Sequence, residues 1–376
     1  MNTAESVNTP NAMQIANIEI FDPAAFRWEF AQQRSVNKLR HKDAALALGV
    51  SEAQSVEAHV GLTNLGDAYS GGQALGLTAT RLAGSFPELI ESLEAVGPVM
   101  ALTRNESAVH EKTGIYTNAS HTGHMGLVLG DVIDLRLFYA QWTYGYFVEE
   151  ITDKGTQHSV QFFDRQGIAA HKIFARPITD LMLLKKLVQR FVTDDQTPRK
   201  LPFESMDEII ETPDAAVDIS AFHAQWRAMT DTHEFFSLMK RHALTRPQAL
   251  RLAEPQFARR VALNATQVLL EAAAAQMVPI MVFVSNKACI QIHGGTVSNI
   301  AVMGPWLNVL DEDFNLHLRH DHIASSWVVR KPTSDGIVTS LEIFDAAGVT
   351  LAYFFGKRKP GQPEDEKWRT IVEAVQ

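Results

Sequence analysis

Two stretches of the sequence begin alike, PVMALTRNESAVHEKTG (98–114) and PIMVFVSNKACIQIHGG (279–295), and they decide the fold. From Pro98 to Phe174 the chain aligns without a gap with Pro279 to Phe355, and 18 of the 77 positions are identical. Chance would give about five identities, so we interpret the pair as an internal repeat. Each half of the molecule is therefore expected to have the same backbone fold.

Alternating apolar and polar residues inside both stretches predict strands. The run IDLRLF (133–138) has this period of two, which places its apolar side chains on one face of a sheet. Asp164 and Gly167 bound a four-residue connector between two such runs, and Asp345 and Gly348 do the same in the second stretch. This spacing is typical of hairpins, so each stretch is predicted to form an antiparallel meander.

Helical patterns precede each meander and follow it at 180–192 and 364–375. Because helices and strands occur in separate runs, we predict an α+β fold. Its expected form is two structural repeats, each a large antiparallel β-sheet with flanking helices. The predicted organisation is a disordered N-terminus at 1–20, an N-terminal repeat at 21–192, a polar, Pro-containing linker at 193–214 and a C-terminal repeat at 215–376.

Composition and charge narrow the class of protein. With 46% hydrophobic and 20% charged residues the chain has the composition of a globular protein, and its formal charge of -9 argues against nucleic acid as a partner. The single cysteine, Cys289, excludes an internal disulfide, a Cys-rich zinc module, an iron–sulfur site and a CxxCH haem attachment. Since the chain shows neither a signal-like start nor a long apolar run, we expect a cytoplasmic protein without membrane insertion.

The segment DTHEFF (231–236) has the features of a helix start. Asp231 and Glu234 have capping-box spacing, which predicts His233 in the first helical turn. The positive end of the helix dipole favours the neutral imidazole that binds metal, and Phe235 and Phe236 are expected to form an apolar wall beside it. A histidine among aromatic residues is also compatible with a purely structural role, and helix geometry leaves both interpretations open.

Positions where the two stretches diverge are candidates for a site that only one of them forms, although surface drift produces such differences too. Three pairs of this kind are Arg104 and Ser285, Glu150 and Lys331, and Lys172 and Tyr353. A further helix is predicted to begin at Thr245, which places Arg246 in its first turn, near the end of the His233 helix.

Several long segments resemble one known family, in the same order along the chain. They are RHKDAALALGVSEAQSVEAHVG (40–61), VMALTRNESAVHEKTG (99–114), IDLRLFYAQWTYGYFV (133–148), DTHEFFSLMKRHALTRPQALRLA (231–253), ACIQIHGG (288–295), WVVRKPTSDGIVTSLEIFD (327–345) and FFGKRKPG (354–361). The similarity runs from about Asn37 to the C-terminus, and it is to the HemS/ChuS-type haem-utilisation proteins of Gram-negative bacteria.

The resemblance implies one haem b, held in a cleft where the second repeat meets the connection to the first. It makes His233 the axial ligand of the haem iron and places Arg104 on the opposite, distal face. Phe355 stands at a haem-edge position where the family has tyrosine. The basic residues at positions near the propionates are Arg246, Lys331 and Arg358.

The resemblance supports two hypotheses about function. In the first, the protein degrades haem oxidatively to release iron for haem-iron acquisition, using O₂ and an external electron donor. Arg104 is then the candidate catalytic residue, because a charged donor can orient a bound water or hydroperoxide. The structural alternative for Arg104 is a salt bridge to Glu106 or Glu111. In the second hypothesis the protein is a carrier that takes intact haem from an inner-membrane importer to a separate haem oxygenase or apo-protein.

A third hypothesis is a metal-dependent enzyme without haem, centred on the run HLRHDH (317–322). If this run is a strand, His320 and His322 share one face while His317 points to the other. That arrangement weakens it as a three-histidine site.

Overall fold

The computed structural model describes residues 21–63, 76–152, 154–202, 210–358 and 361–376. The predicted disorder of residues 1–20 lies outside the described residues. No helix in the described ranges is long and apolar enough to cross a membrane.

The first half begins with helices and continues as a meander. Asp22 caps the first helix, where its side chain accepts hydrogen bonds from the backbone of Ala24 and Ala25. The elements of this half are α1 (Pro23–Ser35), α2 (His41–Ala47), α3 (Glu52–Glu57), β1 (Leu77–Leu82), α4 (Phe86–Glu91), β2 (Val99–Arg104), β3 (Ala108–Gly114), β4 (Ala119–Thr122), β5 (Met125–Leu129), β6 (Asp134–Phe138), β7 (Tyr144–Thr152), β8 (Gly155–Phe163), β9 (Ala169–Ala175) and α5 (Leu181–Gln189).

The second half follows the same order. Strands β11, β12 and β18 begin and end 181 residues after β2, β3 and β9, in agreement with the sequence alignment. The elements are α6 (Ile219–Arg227), α7 (Glu234–Arg241), α8 (Arg246–Leu252), β10 (Ala258–Val261), α9 (Ala265–Ala275), β11 (Ile280–Ser285), β12 (Cys289–Gly295), β13 (Ile300–Met303), β14 (Trp306–Leu310), β15 (Phe314–Arg319), β16 (Ser325–Thr333), β17 (Gly336–Phe344), β18 (Thr350–Gly356) and α10 (Glu366–Ala374).

The hairpins predicted from the Asp and Gly spacing are present in both halves. Gly167 donates its backbone N–H to the carbonyl of Asp164 at 3.0 Å, and Gly348 donates to Asp345 at 3.1 Å. Both glycines have positive φ, +73° and +79°, which a residue with a Cβ adopts only with strain. The turns therefore fix the register of β8 with β9 and of β17 with β18.

Two antiparallel nine-stranded sheets form the body of the protein, so the predicted fold class is confirmed. Sheet one has the order β1-β7-β8-β9-β2-β3-β15-β14-β13, and sheet two has the order β10-β16-β17-β18-β11-β12-β6-β5-β4. Each sheet thus takes its last three strands from the other half of the chain. The sequence pattern did not predict this exchange.

The exchange creates two equivalent seams. In sheet one β3 pairs with β15, and in sheet two β12 pairs with β6, with Ile290 opposite Arg136 and Cys289 opposite Leu137. Since neighbouring side chains on a strand point to opposite faces, the first pair and the second pair face opposite sides of sheet two. Any site on this seam contains residues of both halves.

Helices cover only part of the outer face of sheet two. Helices α6 to α8 form an apolar cluster around Trp226 and Phe235, and it packs on β16 and β17 through Val329 and Phe344. The inner faces of both sheets meet in large apolar cores that join strands of the two halves. The outer faces of β5, β6, β11 and β12 are therefore not covered by α6 to α8.

The described start of the predicted linker contacts the first half. Arg81 donates a hydrogen bond from Nη1 to the carbonyl of Asp195 at 2.6 Å, and the side chain of Gln54 accepts one from the backbone of Leu201 at 2.6 Å. Residues 203–209 of the linker prediction lie outside the described residues.

Candidate functional site

A cleft of about 580 Å³ opens on the outer face of sheet two, across the seam between β6 and β12. The volume is in the range of small-molecule sites. Thr232 and His233, in the turn before α7, form part of its wall, and alternate residues of the strands form its floor. The apolar part of the lining consists of Met125, Phe138, Met281, Phe283, Ile290, Ile292, Val338 and Phe355.

The cleft brings together five of the six residues that the sequence singled out. His233, Arg246, Lys331, Phe355 and Arg358 all line it, although they come from a turn before α7, from α8, from β16, from β18 and from the segment after β18. Residues this far apart in the chain meet only because the sheet and the helices fold together.

The imidazole of His233 is open to solvent and oriented by an aspartate. Its side chain is 93% exposed, and Nδ1 lies 2.6 Å from Oδ1 of Asp231. Hydrogen bonds from the backbone and the ring of His233 lower the pKa of Asp231, so this carboxylate is the acceptor and Nδ1 carries the proton. Among the described residues Nε2 has no hydrogen-bond partner, and a histidine held through Nδ1 in this way is common in metal sites.

The start of the helix differs from the prediction by a few residues. The N-cap of α7 is His233 itself, and the helix runs from Glu234. Glu234 does not pair with Asp231 as a capping box requires; it accepts hydrogen bonds from the backbone and hydroxyl of Thr230. The reason is that Asp231 is engaged by the backbone N–H of His233 at 2.7 Å, which tightens the turn ahead of the helix.

A buried carboxylate holds two of the cleft cations. Glu342 accepts a bidentate pair from Arg246, at 2.6 and 2.8 Å, and a hydrogen bond from Nζ of Lys331 at 2.7 Å. Although burial alone would raise the pKa of Glu342, the two cations lower it well below its usual range. Burial lowers the pKa of Lys331 to about 8, against the effect of Glu342. The group carries one net positive charge.

Aromatic rings pack against the same two cations, Arg246 and Lys331. The guanidinium of Arg246 lies 4.4 Å from the ring centroid of Tyr353 and 5.0 Å from that of Phe235, and Nζ of Lys331 lies 4.8 Å from the Phe235 ring. Such contacts favour a cation over the ring face. Together with Glu342 they leave Arg246 little freedom to move.

The predicted apolar wall of Phe235 and Phe236 is not found. Phe235 is 1% exposed and lies in the helix cluster beneath the cations, while Phe236 is 70% exposed to solvent. Neither lines the cleft. The helical period explains this difference, because Phe235 shares a face with Leu238 and Met239 whereas Phe236 falls outside that apolar stripe.

Arg358 is the least constrained cation of the predicted set. Its Nη1 is 3.8 Å from Oδ2 of Asp335, beyond hydrogen-bond distance. Asp335 instead accepts a hydrogen bond from the backbone of Gly361 at 3.0 Å. The guanidinium of Arg358 therefore has donors left for a ligand.

Arg136 lines the cleft and was missed at the sequence level. It is on β6, the strand that the first half contributes to sheet two, and it pairs with Asp134 on the same face. A signal was available, because the repeat alignment places Arg136 opposite His317, a difference of the same kind as those that were noted.

Arg104 does not meet the other candidates. It ends β2 in sheet one, where it forms an ion pair with the buried Glu52 of α3, which also accepts a hydrogen bond from Lys172 at 2.6 Å. Arg104 thus forms a salt bridge, as its structural alternative predicted, but the partner is Glu52 rather than Glu106 or Glu111. The distal position expected for Arg104 is not supported by its place in the fold, because the cleft lies on sheet two.

The histidines of the third hypothesis are separated. Strand β15 ends at Arg319, and His320 and His322 lie in a single helical turn after it, so the strand assumption fails for both. His317 contacts Asn308 at 2.7 Å, and His322 contacts Ser107 at 2.9 Å. In the described part of the chain no group of three or more His, Cys, Asp or Glu side chains is placed to hold a metal ion.

Comparison with known proteins gives the same family at both the sequence and the structure level. The model of the haemin-degrading HemS/ChuX domain matches residues 49–191 and again residues 243–375. The hemin transport protein HemS of Yersinia enterocolitica is 40% identical over 348 residues, which are 92% of this chain and 95% of that protein.

Solved structures show the same overall fold. Holo-PhuS, a heme-binding protein from Pseudomonas aeruginosa, has a TM-score of 0.88 and 41% identity, with 95% of this chain and 99% of that chain covered. The heme-degrading enzyme ChuS of Escherichia coli O157:H7 has a TM-score of 0.84 and 37% identity, with 94% and 99% covered. With both halves matched and relatives this similar over nearly the full length, the chain belongs to the haemin-degrading HemS/ChuX domain family.

Proposed function

We propose that this protein binds one haem b in the cleft on sheet two, with Nε2 of His233 as the ligand of the haem iron. The observation that carries the proposal is that His233, Arg246, Lys331, Phe355 and Arg358 line one cleft. An accessible imidazole whose other nitrogen donates to a carboxylate suits iron, and the relative PhuS is described as heme-binding.

The charges of the cleft suit the two propionates of haem. Arg246 and Lys331 share Glu342, so that group offers one net positive charge, and Arg358 offers a second. Carboxylates removed from water need such partners, because an unpaired charge is costly to bury. Arg136 is already paired with Asp134 and adds no net charge.

The rest of the lining suits the porphyrin ring. Phe138, Phe283 and Phe355 and the aliphatic side chains of Ile290 and Ile292 give an apolar surface to the same cleft that the cations and the histidine line. Burying the two faces of a flat, largely apolar ring against such side chains is favourable by about 25 cal/mol per Å² of apolar surface removed from water.

For the activity, we infer that the protein degrades haem oxidatively and releases iron, with O₂ and an external electron donor as co-reactants. ChuS, at 37% identity, is described as a heme-degrading enzyme. Arg136, on β6, rather than Arg104 is the charged donor that lines the cleft with His233. With haem in the cleft, the guanidinium of Arg136 would supply a charge-assisted hydrogen bond to the oxygen co-reactant.

A second candidate is a haem carrier between an inner-membrane importer and an acceptor such as a haem oxygenase. The 93% exposure of the His233 side chain favours the carrier, because an accessible iron ligand can release haem to a partner protein without unfolding of the carrier. HemS, at 40% identity, is described as a hemin transport protein. We place either activity in the cytoplasm, where the lone Cys289 stays reduced.

One experiment separates the two candidates. The protein is reconstituted with hemin and given an electron donor and O₂ in the presence of catalase, and the Soret band, a bilin product and chelatable iron are followed. Degradation predicts that the band bleaches as product and iron appear. If the haem stays intact and moves rapidly to an added apo-haem-protein, the result rules out degradation and supports the carrier.

A pair of arginine variants tests the role of Arg136. Arg136→Ala is expected to slow bleaching and Arg104→Ala to leave its rate unchanged, because only Arg136 lines the cleft. Both arginines are paired with a carboxylate in the same chain, so the loss of an ion pair is common to both variants. If Arg104→Ala slowed bleaching and Arg136→Ala bleached at the wild-type rate, Arg104 would be the catalytic candidate, as the sequence suggested.

A further inference from the structure

A hydrogen-bonded group that includes an oxidisable phenol and a thiol lies behind the cleft, in the apolar core between the sheets. The hydroxyl of Tyr116 is 2.6 Å from Nε2 of His171, whose Nδ1 is 2.9 Å from the hydroxyl of Thr103. Thr103 in turn lies 3.3 Å from Sγ of Cys289. All four side chains are at most 1% exposed.

The strands that carry the cleft also carry this group. On β6, Arg136 and Phe138 face the cleft, and Leu135 and Leu137 face the inner core that contains Tyr116. On β12, opposite Leu137, Cys289 faces the same core. Because the two faces of a sheet are separated only by its backbone, a ligand in the cleft and the Tyr116 group lie within about 10–15 Å of each other.

The direction of the hydrogen bonds follows from burial. A fully buried phenol needs an acceptor, and among the described residues Nε2 of His171 is the one found for Tyr116. Nε2 is therefore unprotonated, and Nδ1 carries the ring proton and donates it to Thr103. The phenol proton of Tyr116 already points at a base.

Two further aromatic residues connect this group with the cleft. Tyr139 directly follows Phe138, which lines the cleft, and its ring packs over Gly126 of β5. The ring centroid of Tyr139 is 5.1 Å from that of Trp142, and the centroid of Trp142 is 6.3 Å from that of His171. Because the ring centroid of Tyr116 is 6.2 Å from that of His171, the rings form a continuous chain from Tyr116 to Tyr139, along which an electron can move in short steps.

We propose that Tyr116 is a redox-active tyrosine, which returns one electron through Trp142 and Tyr139 to a haem in the cleft that has been oxidised by peroxide, while its phenol proton moves to His171. The inference rests on the proposed haem site and deepens it. It assigns to the core behind the cleft the task of removing oxidising equivalents that would otherwise attack the protein.

The step balances as a single proton-coupled electron transfer. Tyr116 loses one electron and the proton of its hydroxyl, the oxidised haem gains the electron, and Nε2 of His171 gains the proton. Hydrogen peroxide is the oxidant that first removed the electrons from the haem. The products are a neutral tyrosyl radical and an imidazolium, and no bond other than the O–H and N–H bonds changes.

Burial sets the starting state for this transfer. It lowers the pKa of His171 to about 3 and raises the pKa of Tyr116 well above its usual range, so both groups are neutral before oxidation. A phenol that has lost an electron is a far stronger acid than an imidazolium. His171 therefore accepts the proton despite its low pKa. One electron from the external donor of the proposed function then reduces the radical, and the proton returns from His171 to Tyr116.

A second buried tyrosine provides a matched control. Tyr146 is also fully buried, and its hydroxyl donates to Glu57 at 2.7 Å. It packs with α1 to α3 on sheet one, in a cluster that contains no residue of the cleft. Tyr146→Phe thus removes a buried hydroxyl and a hydrogen bond without touching the proposed electron path.

The test uses the full chain reconstituted with hemin, mixed with hydrogen peroxide, freeze-quenched and examined by electron paramagnetic resonance. The wild type is expected to give a tyrosyl radical signal. Tyr116→Phe is expected to lose it, Tyr146→Phe to keep it, and Trp142→Phe to form it more slowly. A Soret titration and a melting curve of each variant establish that hemin is bound and that the fold is intact.

The outcomes separate this inference from the haem site itself. Hemin binding without any radical in the wild type, or an equal radical signal in Tyr116→Phe, overturns the inference and leaves the haem site standing. A wild type that takes up no hemin overturns the proposed function and the inference with it. A signal lost in both tyrosine variants would also contradict the assignment to Tyr116.

Discussion

At the scale of single residues, Asp231 determines how His233 presents its free nitrogen. The carboxylate accepts hydrogen bonds from both the backbone and the ring of His233, at 2.7 and 2.6 Å. We predict that Asp231→Asn weakens hemin binding by about 10–100-fold, the usual effect of losing such a partner. The dissociation constant from a Soret titration measures this. An affinity equal to that of the wild type would show that the aspartate does not support an iron ligand.

Lys331 makes the affinity for hemin depend on pH. Burial lowers the pKa of its ammonium to about 8, so the charge that a propionate requires is present below this pH and is lost as the pH rises through it. The dissociation constant is therefore expected to increase between pH 7 and pH 9, about one unit to either side.

Lys331→Arg is the control for this dependence, because a guanidinium keeps its charge over the whole range. It should flatten the profile without removing the pH effects that belong to hemin itself. Identical profiles for the two proteins would mean that Lys331 does not titrate in the cleft.

Site residues could be predicted from the sequence where they belong to a long segment that resembles the family. They could not be predicted where only the folded structure brings them to the cleft. His233, Arg246 and Lys331 were identified from such segments, and the structure brings them together. Arg104 lies instead on sheet one, paired with Glu52, and the sequence could not show this because a strand pattern does not state which strand will be its neighbour. Arg136 was read only as part of a strand, although its alignment with His317 marked it as divergent.

At the scale of elements, one turn occurs twice with different surroundings. Gly167 and Gly348 hold equivalent hairpins with positive φ. A Cβ at Gly167 would overlap Ser51, the N-cap of α3, whereas at Gly348 the nearest atom is Cγ of Pro247 at 3.3 Å. Alanine at either position has a strained backbone, at about 1–2 kcal/mol.

We therefore predict that Gly167→Ala lowers the melting temperature more than Gly348→Ala, because only the first also displaces a helix cap. Differential scanning calorimetry of the two variants measures the difference. Equal melting temperatures would indicate that α3 shifts freely, and that its contact with the hairpin contributes little to stability.

Elements with a clear hydrophobic period could be predicted from the sequence, but the residues at which they begin and end could not. The helical pattern at 180–192 corresponds to α5 at Leu181–Gln189, and the pattern at 364–375 to α10 at Glu366–Ala374. The start of α7 differed because the backbone N–H and hydroxyl of Thr230 compete with the backbone N–H of Asp231 for the carboxylate of Glu234, and Thr230 is the donor found. Such competition is decided by local geometry that the sequence does not specify.

At the scale of the whole molecule, the strand exchange makes the two halves depend on each other. The cleft needs β5 and β6 of the first half, and sheet one needs β13 to β15 of the second. Alternation of apolar residues predicts that these segments are strands, but it does not specify which strands pair with them. For this reason the exchange was not predicted.

Residues 210–376 expressed alone would have two free seam strands, β12 and β15. In the whole chain β15 pairs with β3, the equivalent of β12, so two copies of the second half can pair β15 with β12 in both directions. We predict a twofold dimer by light scattering, with hemin affinity reduced because Arg136 is replaced in space by its counterpart His317. A folded monomer would show that the seam is not needed for stability.

The proposed haem site depends most on the imidazole of His233, as the group that holds haem iron. The direct measurement is a hemin titration of the wild type, His233→Ala and the surface control His320→Ala, followed by the Soret band and with free imidazole added afterwards. We predict that His233→Ala alone loses affinity and the spectrum of a histidine-ligated haem, and that imidazole restores the spectrum. An unchanged spectrum and affinity in His233→Ala would contradict the proposed site.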